Sequence, residues 1–537
     1  MPNIRFILAC FVVLLCMGSP AAKVIVVPID SRPVTGQFPQ LIGRIAGIEV
    51  VLPPESMLGN YTRPGMPDAV GNWLLAQDYS GVVAVIVAAD MIAYGGLIES
   101  RIPSVSVETA IRRLKVIRTL RARNPSLSVF AYCALMRTAP TATPETRAWR
   151  TQMARYAELE EKYQRTRESH LPERLRELKA EIPPREFARY YEARARNMEI
   201  YKALIRMVKD HTISYLIIGA DDSQEFGPHY RETKELRAYV REREIDGLVY
   251  ICDGVDQHAM VLLSRALMRH YNIMPRVHFV LSDEEAGDRP ANYESLPLLI
   301  SVRDQIIASG ARPTDNPAAS DYVLYLNTRG VDDFKFGIFR EMLTQALDTG
   351  KPIAVADINF DRSGVGDARL IEAIWQQKHI EDMLAFAAWN TAGNTLGTAI
   401  PHANIYLLAK QINKNAFERE LRQREFLFHR LVNDYAYCRV IRPAANAMAE
   451  SHPEGSREES TGAALKMLQD WVSTNTVKVI ERYFNNYYAG HTFKAGERDY
   501  EIKAIRNIKA WLPWPRAFEV RIEFELVAEP IERDRDR

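Results

Sequence analysis

Short continuous runs of Val, Ile, Leu and Ala, rather than alternating ones, punctuate the first two thirds of the chain. They fall at residues 23–29, 48–52, 82–88, 128–135, 213–218, 248–251, 276–281, 322–326 and 352–356. Segments apolar on both faces predict parallel strands covered by helices on each side. Amphipathic stretches over residues 107–123, 231–243 and 258–269 supply such helices. The alternation predicts an α/β fold with a parallel-sheet core, barrel-like or doubly wound. Strand count alone leaves a single barrel and two smaller lobes both open.

Two segments break the rhythm. Residues 144–210 are dense in Glu, Arg, Lys, Ala and Tyr and are interrupted at Pro183-Pro184, which predicts a helical insertion between two strands. Its charges are mixed in sign, as on a solvated helical hairpin rather than a nucleic-acid arm. From residue 409 the texture changes again. Helical patterns over 417–440 and 463–484 flank a polar loop at 450–462, and residues 518–526 alternate as a strand does. The expected organisation is a leader over 1–21, an α/β core of catalytic type over 22–408 carrying the 144–210 insertion, and a C-terminal α+β region over 409–537.

The leader rests on Arg5, the apolar run 6–17 and the small residues Ser19 and Ala21, which together read as an export signal cut after Ala21. The run is much shorter than the ~20 residues of a membrane span, so no stable transmembrane segment is expected after cleavage. A secreted or periplasmic location follows as an expectation. Cys133, Cys252 and Cys438 would remain, an odd number without metal-knuckle spacing. One disulfide among them or three buried thiols are both open.

Composition adds mainly exclusions. Hydrophobic residues at 47% and charged residues at 26% suit a folded globular chain, and Lys+Arg 69 against Asp+Glu 68 argues against a general nucleic-acid binder. Neither GxGxxG nor GxxxxGK[ST] falls in a strand-to-helix context, and there is no GxSxG elbow. The ligand expected is a small polar molecule or a glycan.

In parallel α/β folds ligands bind beyond the carboxyl ends of the strands, so the residues after each apolar run matter most. Here they are acidic and arginine-rich: Asp30 and Arg32, then Asp90, Tyr94 and Arg101, then Arg137, then Asp221, Asp222 and Glu225. A single Asp in such a place is explained well enough as a helix cap. The adjacent pair Asp221-Asp222 is less easily explained, because two neighbouring carboxylates repel unless one is protonated, paired with Arg or bound to metal. Such a pair can divide into a neutral acid and an ionised partner, as glycoside hydrolysis requires.

A second cluster, Trp389-Asn390-Thr391-Ala392-Gly393-Asn394, sets an aromatic ring beside two amides. It suits a sugar stacked on Trp389 and hydrogen-bonded by Asn390 and Asn394, or equally a core Trp beside a capped turn. No cofactor is expected. Asp30, Asp90, Asp222 and Asp357 nevertheless offer hard oxygen ligands for a divalent metal, while the histidines lack zinc spacing.

Several of these motifs, together with Val51-Leu52-Pro53-Pro54, Asp90-Met91-Ile92-Ala93-Tyr94-Gly95-Gly96-Leu97, Gly219-Ala220-Asp221-Asp222 and Leu512-Pro513-Trp514-Pro515-Arg516-Ala517-Phe518-Glu519, resemble the bacterial DUF4127 family. The resemblance covers nearly the whole chain after the leader and implies no particular activity. The residues themselves lead to an exported hydrolase of the glycosidase type acting on a carbohydrate or glycan. Asp221, Asp222 and Asp90 are its expected catalytic groups. Asp30, Arg32, Tyr94, Arg101, Arg137, Glu225, Trp389, Asn390 and Asn394 are expected to hold substrate. The alternatives are a non-catalytic periplasmic or envelope-associated binding protein and a metal-dependent hydrolase.

Overall fold

Four of the five side chains of β1 (Lys23–Val27) are buried, on both faces of the strand, and the same holds along its parallel neighbours. The computed structural model describes residues 22–532 apart from 62, 362–363 and 377–379; the expected leader lies outside the described residues. β1, β2 (Glu49–Val51), β3 (Val82–Ala88), β4 (Ser128–Leu135), β5 (Tyr215–Ala220) and β6 (Val249–Asp253) form a parallel sheet of order β2-β1-β3-β4-β5-β6. β7 (Arg276–Leu281), β8 (Arg312–Pro313), β9 (Tyr322–Asn327), β10 (Ile353–Asp357) and β11 (Ala385–Ala387) form a second parallel sheet of order β11-β10-β9-β7-β8. The predicted α/β class is therefore what the chain adopts. The barrel alternative falls away, because both sheets are open and end in edge strands.

The two sheets share a topology. In each, the first strand sends its chain outward to one neighbour and then across to the other, so that β1 and β3, like β7 and β9, flank a reversal of strand order. Crevices at such reversals are where ligands bind in open parallel sheets.

Alternating side chains of the second sheet serve different cores. Leu324, Leu326, Ala354 and Ala385 join the core that runs through the first sheet and the helix Ala392–Ile412. Tyr325, Val355 and Phe386 face the C-terminal region instead. That region consists of the helix Ala416–Leu431, a π-helical stretch Val432–Ile441, the helices Arg442–Glu450 and Gly462–Tyr487, and an antiparallel sheet. The sheet is made of β12 (Thr492–Ala495), β13 (Arg498–Trp511) and β14 (Arg521–Pro530). The texture change at residue 409 falls inside the helix Ala392–Ile412.

The 144–210 segment is helical, with helices Arg150–Thr166, Leu171–Ala180 and Pro184–Lys209 between β4 and β5. Met153, Leu159, Leu171 and Leu178 give its first two helices a small core of their own. Cys133, Cys252 and Cys438 are buried free thiols. No helix among the described residues is long and apolar enough to cross a membrane.

Candidate functional site

A cavity of about 940 Å³ lies where the carboxyl ends of both sheets meet the C-terminal region. Its floor is built by the turns that follow the strands of the first sheet. After β1 the chain turns at Asp30, whose carboxylate accepts from the Arg32 backbone N–H at 3.1 Å and from Arg32 Nη2 at 2.7 Å. The same guanidinium donates to Asp256, which follows β6, at 2.7 and 2.9 Å. Its central carbon lies 4.9 Å from the centroid of the Trp514 ring, and the Trp514 indole N–H donates to Ser31 Oγ at 3.0 Å. One arginine thus joins two strand ends and the C-terminal segment through charge-assisted hydrogen bonds and a cation–π contact.

The Asp221-Asp222 turn follows β5. Gly219 lets this strand end press against the turn after β6, since a Cβ there would lie 2.0 Å from the Gly254 carbonyl oxygen. Asp222 has φ 34°, a left-handed conformation that costs a non-glycine residue and recurs at functional turns. Each carboxylate has its own arginine: Arg101 donates to Asp221, and Arg137 pairs with Asp222. Arg101 also donates to Thr141 Oγ1 at 3.0 Å.

The two acids are driven apart. Burial raises the Asp221 pKa, but Arg101 and Arg137 outweigh it and hold this carboxyl below its ordinary value. For Asp222, burial wins over Arg137, and the charge of Asp221 adds to it, so this carboxyl sits above its ordinary value.

A third acid, Glu294, enters from the loop after β7. Asp253 holds that loop by accepting from the backbone N–H groups of Ser295 and Leu296 at 2.7 and 3.0 Å. Glu294 Oε1 accepts from the Gly393 N–H at the start of the helix Ala392–Ile412, and its carboxyl lies beside Ser301. Burial, reinforced by the charge of Asp253, pushes Glu294 up to about 8.

The chain matches over residues 24–523 the family model described as protein of unknown function (DUF4127). It belongs to the DUF4127 family. No curated protein and no solved structure matches it.

In this DUF4127 chain the cavity wall includes Arg32, Arg101, Arg137, Asp221, Asp222, Glu225 and Asn390 of the expected site. The other expected residues lie elsewhere. Asp90 is buried behind the turn, where its Oδ2 accepts from the Ala134 N–H at 2.8 Å and burial pushes it up to about 7. Its place makes it a support for β4 rather than a group facing the cavity. Asp30 reaches the site only through Arg32. The Tyr94 ring is covered by the Arg196 guanidinium at 4.1 Å and does not line the cavity.

Trp389 and Asn394 likewise do not line this cavity. The Trp389 indole N–H is satisfied by Thr398 Oγ1 at 3.1 Å and its ring meets the edge of Phe38, so the ring belongs to the packing. Asn394 lies at the capped start of its helix, bonded to Thr391. The aromatic walls come instead from Tyr61, Trp514 and Phe518, with the Arg516 guanidinium 4.7 to 5.2 Å from all three rings. Asp256 and Glu294 were also missed, although Asp256 stands in a strand-end motif of the same type as the others. Among the described residues no group of three or more His, Cys, Asp and Glu side chains is arranged to hold a metal ion. Asp30, Asp90, Asp222 and Asp357, the metal ligands considered, have separate partners.

Proposed function

We propose that this protein is an exported hydrolase acting on a carbohydrate or glycan, with its chemistry at the Asp221-Asp222 turn. The observation that carries the reading is a pair of adjacent carboxyls, each beside its own arginine, on the wall of one polar, aromatic-walled cavity. Asp222 donates its proton to the bridging oxygen as the bond from that oxygen to the sugar carbon breaks. Ionised Asp221 stabilises the positive charge developing on the carbon. Water adds at the carbon, and the proton it loses recharges Asp222, leaving a hydroxyl on each fragment. Arg101 and Arg137 fix the two carboxyls in place, and Trp514, Tyr61 and Phe518 present apolar surface to the sugar ring. Export rests on the leader-like pattern of residues 1–21.

The test is a hydrolysis screen of purified protein against bacterial and plant polysaccharides and glycosides, with Asp222→Asn as its pair. Product from the parent and none from the variant supports the reading; equal product from both sinks it. A second reading, retention of a polar ligand without turnover, draws support from the Arg32 fork, whose charge Asp30 and Asp256 already neutralise. Binding of a panel glycan by both proteins, with product from neither, would favour it.

A further inference from the structure

The cavity at the Asp221-Asp222 turn does not end at its own wall. A second cavity of about 470 Å³ opens between residues 142–151, where the helical insertion begins, and residues 453–461, the polar loop before the helix Gly462–Tyr487. The two cavities share Ala142, Arg150 and Glu458. We propose that the second cavity is a binding subsite for further units of an oligomeric ligand whose first units lie at the Asp221-Asp222 turn. This inference rests on the glycan reading above and extends it from a single sugar to a chain.

Both walls are preformed. On one side Tyr61 donates its hydroxyl proton to the Ala142 carbonyl, and Thr146 Oγ1 donates to the Thr141 carbonyl at 2.7 Å. On the other, Glu454 accepts from the Ala463 N–H at 2.9 Å and Ser456 Oγ accepts from the Glu459 N–H at 3.0 Å. The Ser460 N–H donates to the Pro515 carbonyl at 2.7 Å, which ties this loop to the Trp514 segment of the first cavity. Walls held by their own hydrogen bonds lose little freedom when a ligand enters.

Arg150 stands at the neck. Its Nε donates to the Pro140 carbonyl at 2.7 Å, while its terminal N–H groups make no hydrogen bond among the described residues. An oriented guanidinium with free donors at the junction suits the hydroxyl or carboxylate oxygens of a chain passing from one cavity into the other. Pockets for single small ligands run to ~1,000 Å³. The first cavity alone is about 940 Å³, so the second offers room beyond one such ligand.

The test is binding of cello-, chito- and oligogalacturonide dimers and hexamers, read by calorimetry on the full chain carrying Asp222→Asn to prevent turnover. The hexamer of at least one series is expected to bind about tenfold or more tighter than its dimer. Thr151→Trp fills the second cavity from an exposed position on its wall and is expected to erase that preference. Arg147→Trp, exposed on the same wall, serves if the first variant does not fold. Dimers and hexamers bound equally, or a hexamer preference that survives the tryptophan, would overturn the subsite while leaving the glycan reading in place. No binding by any series would overturn both.

Discussion

The turns after β5 and β10 both follow interior strands of open parallel sheets, yet they treat buried carboxyls in opposite ways. Asp221 and Asp222 are each answered by an arginine. Asp357, at the end of β10, is answered by the Asn327 side-chain amide at 3.0 Å and by the backbone N–H groups of Asn359 and Asp367 at 3.1 and 2.6 Å. Burial, helped by the charge of Asp367, pushes Asp357 up to about 8. The nearby Arg369 spends its guanidinium on Asp367 and Asp333 instead. The first arrangement sets carboxyls beside arginines on a cavity wall; the second keeps a neutral carboxyl as a hydrogen-bonding strut. A carboxyl at a strand end is therefore read by the cation beside it as much as by its position.

The largest effect that can break this comparison is on turnover. Asp222→Asn is expected to lower kcat on a cleaved glycan by about a hundredfold or more, the range of a lost general acid. Asp357→Asn should leave kcat within about twofold, since that carboxyl is a neutral strut. Initial rates on one substrate check both.

Arg101→Met comes next. It strands Asp221 as a buried charge without its main cation, and a loss of about 3 kcal/mol of stability is expected in urea unfolding. Adding Asp221→Asn to that variant should recover much of the loss, because the uncompensated charge is then gone.

The pH dependence sharpens the contrast further. The folded-state pKa of Asp357 is raised from 3.8 to about 8, so the stability it lends is full below its unfolded value. That contribution is lost as pH rises through this window, at up to about 1.4 kcal/mol per pH unit. Melting curves from pH 5 to 8 should show the parent losing ground to Asp357→Asn as pH rises. Asp221 runs the other way, because its depressed pKa gives stability that is present at neutral pH and lost on acidification. The smallest expected effect is that of Trp514→Phe, which removes the hydrogen bond to Ser31 and weakens the contact with Arg32 for a cost of about 1 kcal/mol.

Continuous apolar runs made most of the parallel strands legible: β3, β4 and β7 lie where the pattern places them, residue for residue. The two strands that escaped give weaker signals. β8 is two residues, one of them Pro313, and β11 is Ala385–Ala387, without a β-branched side chain. The first sheet's rim was legible because its acids and arginines directly follow strong strands. Trp389 stayed open in the sequence because an aromatic beside amides reads the same on a cavity wall as in a core; its contacts with Thr398 and Phe38 place it in the packing. The other cavity walls come from Tyr61, Glu294 and Trp514, each far along the chain from the Asp221-Asp222 turn and brought to it only by tertiary packing.

The most direct test of the central claim needs no substrate. Carboxyl-carbon NMR titration of aspartate-labelled protein, with Asp221→Asn and Asp222→Asn to assign the two signals, reads the protonation of the pair. Asp222 is expected to titrate above the ordinary aspartate range and Asp221 below it. Both titrating together at the ordinary value, or in the reverse order, would contradict it.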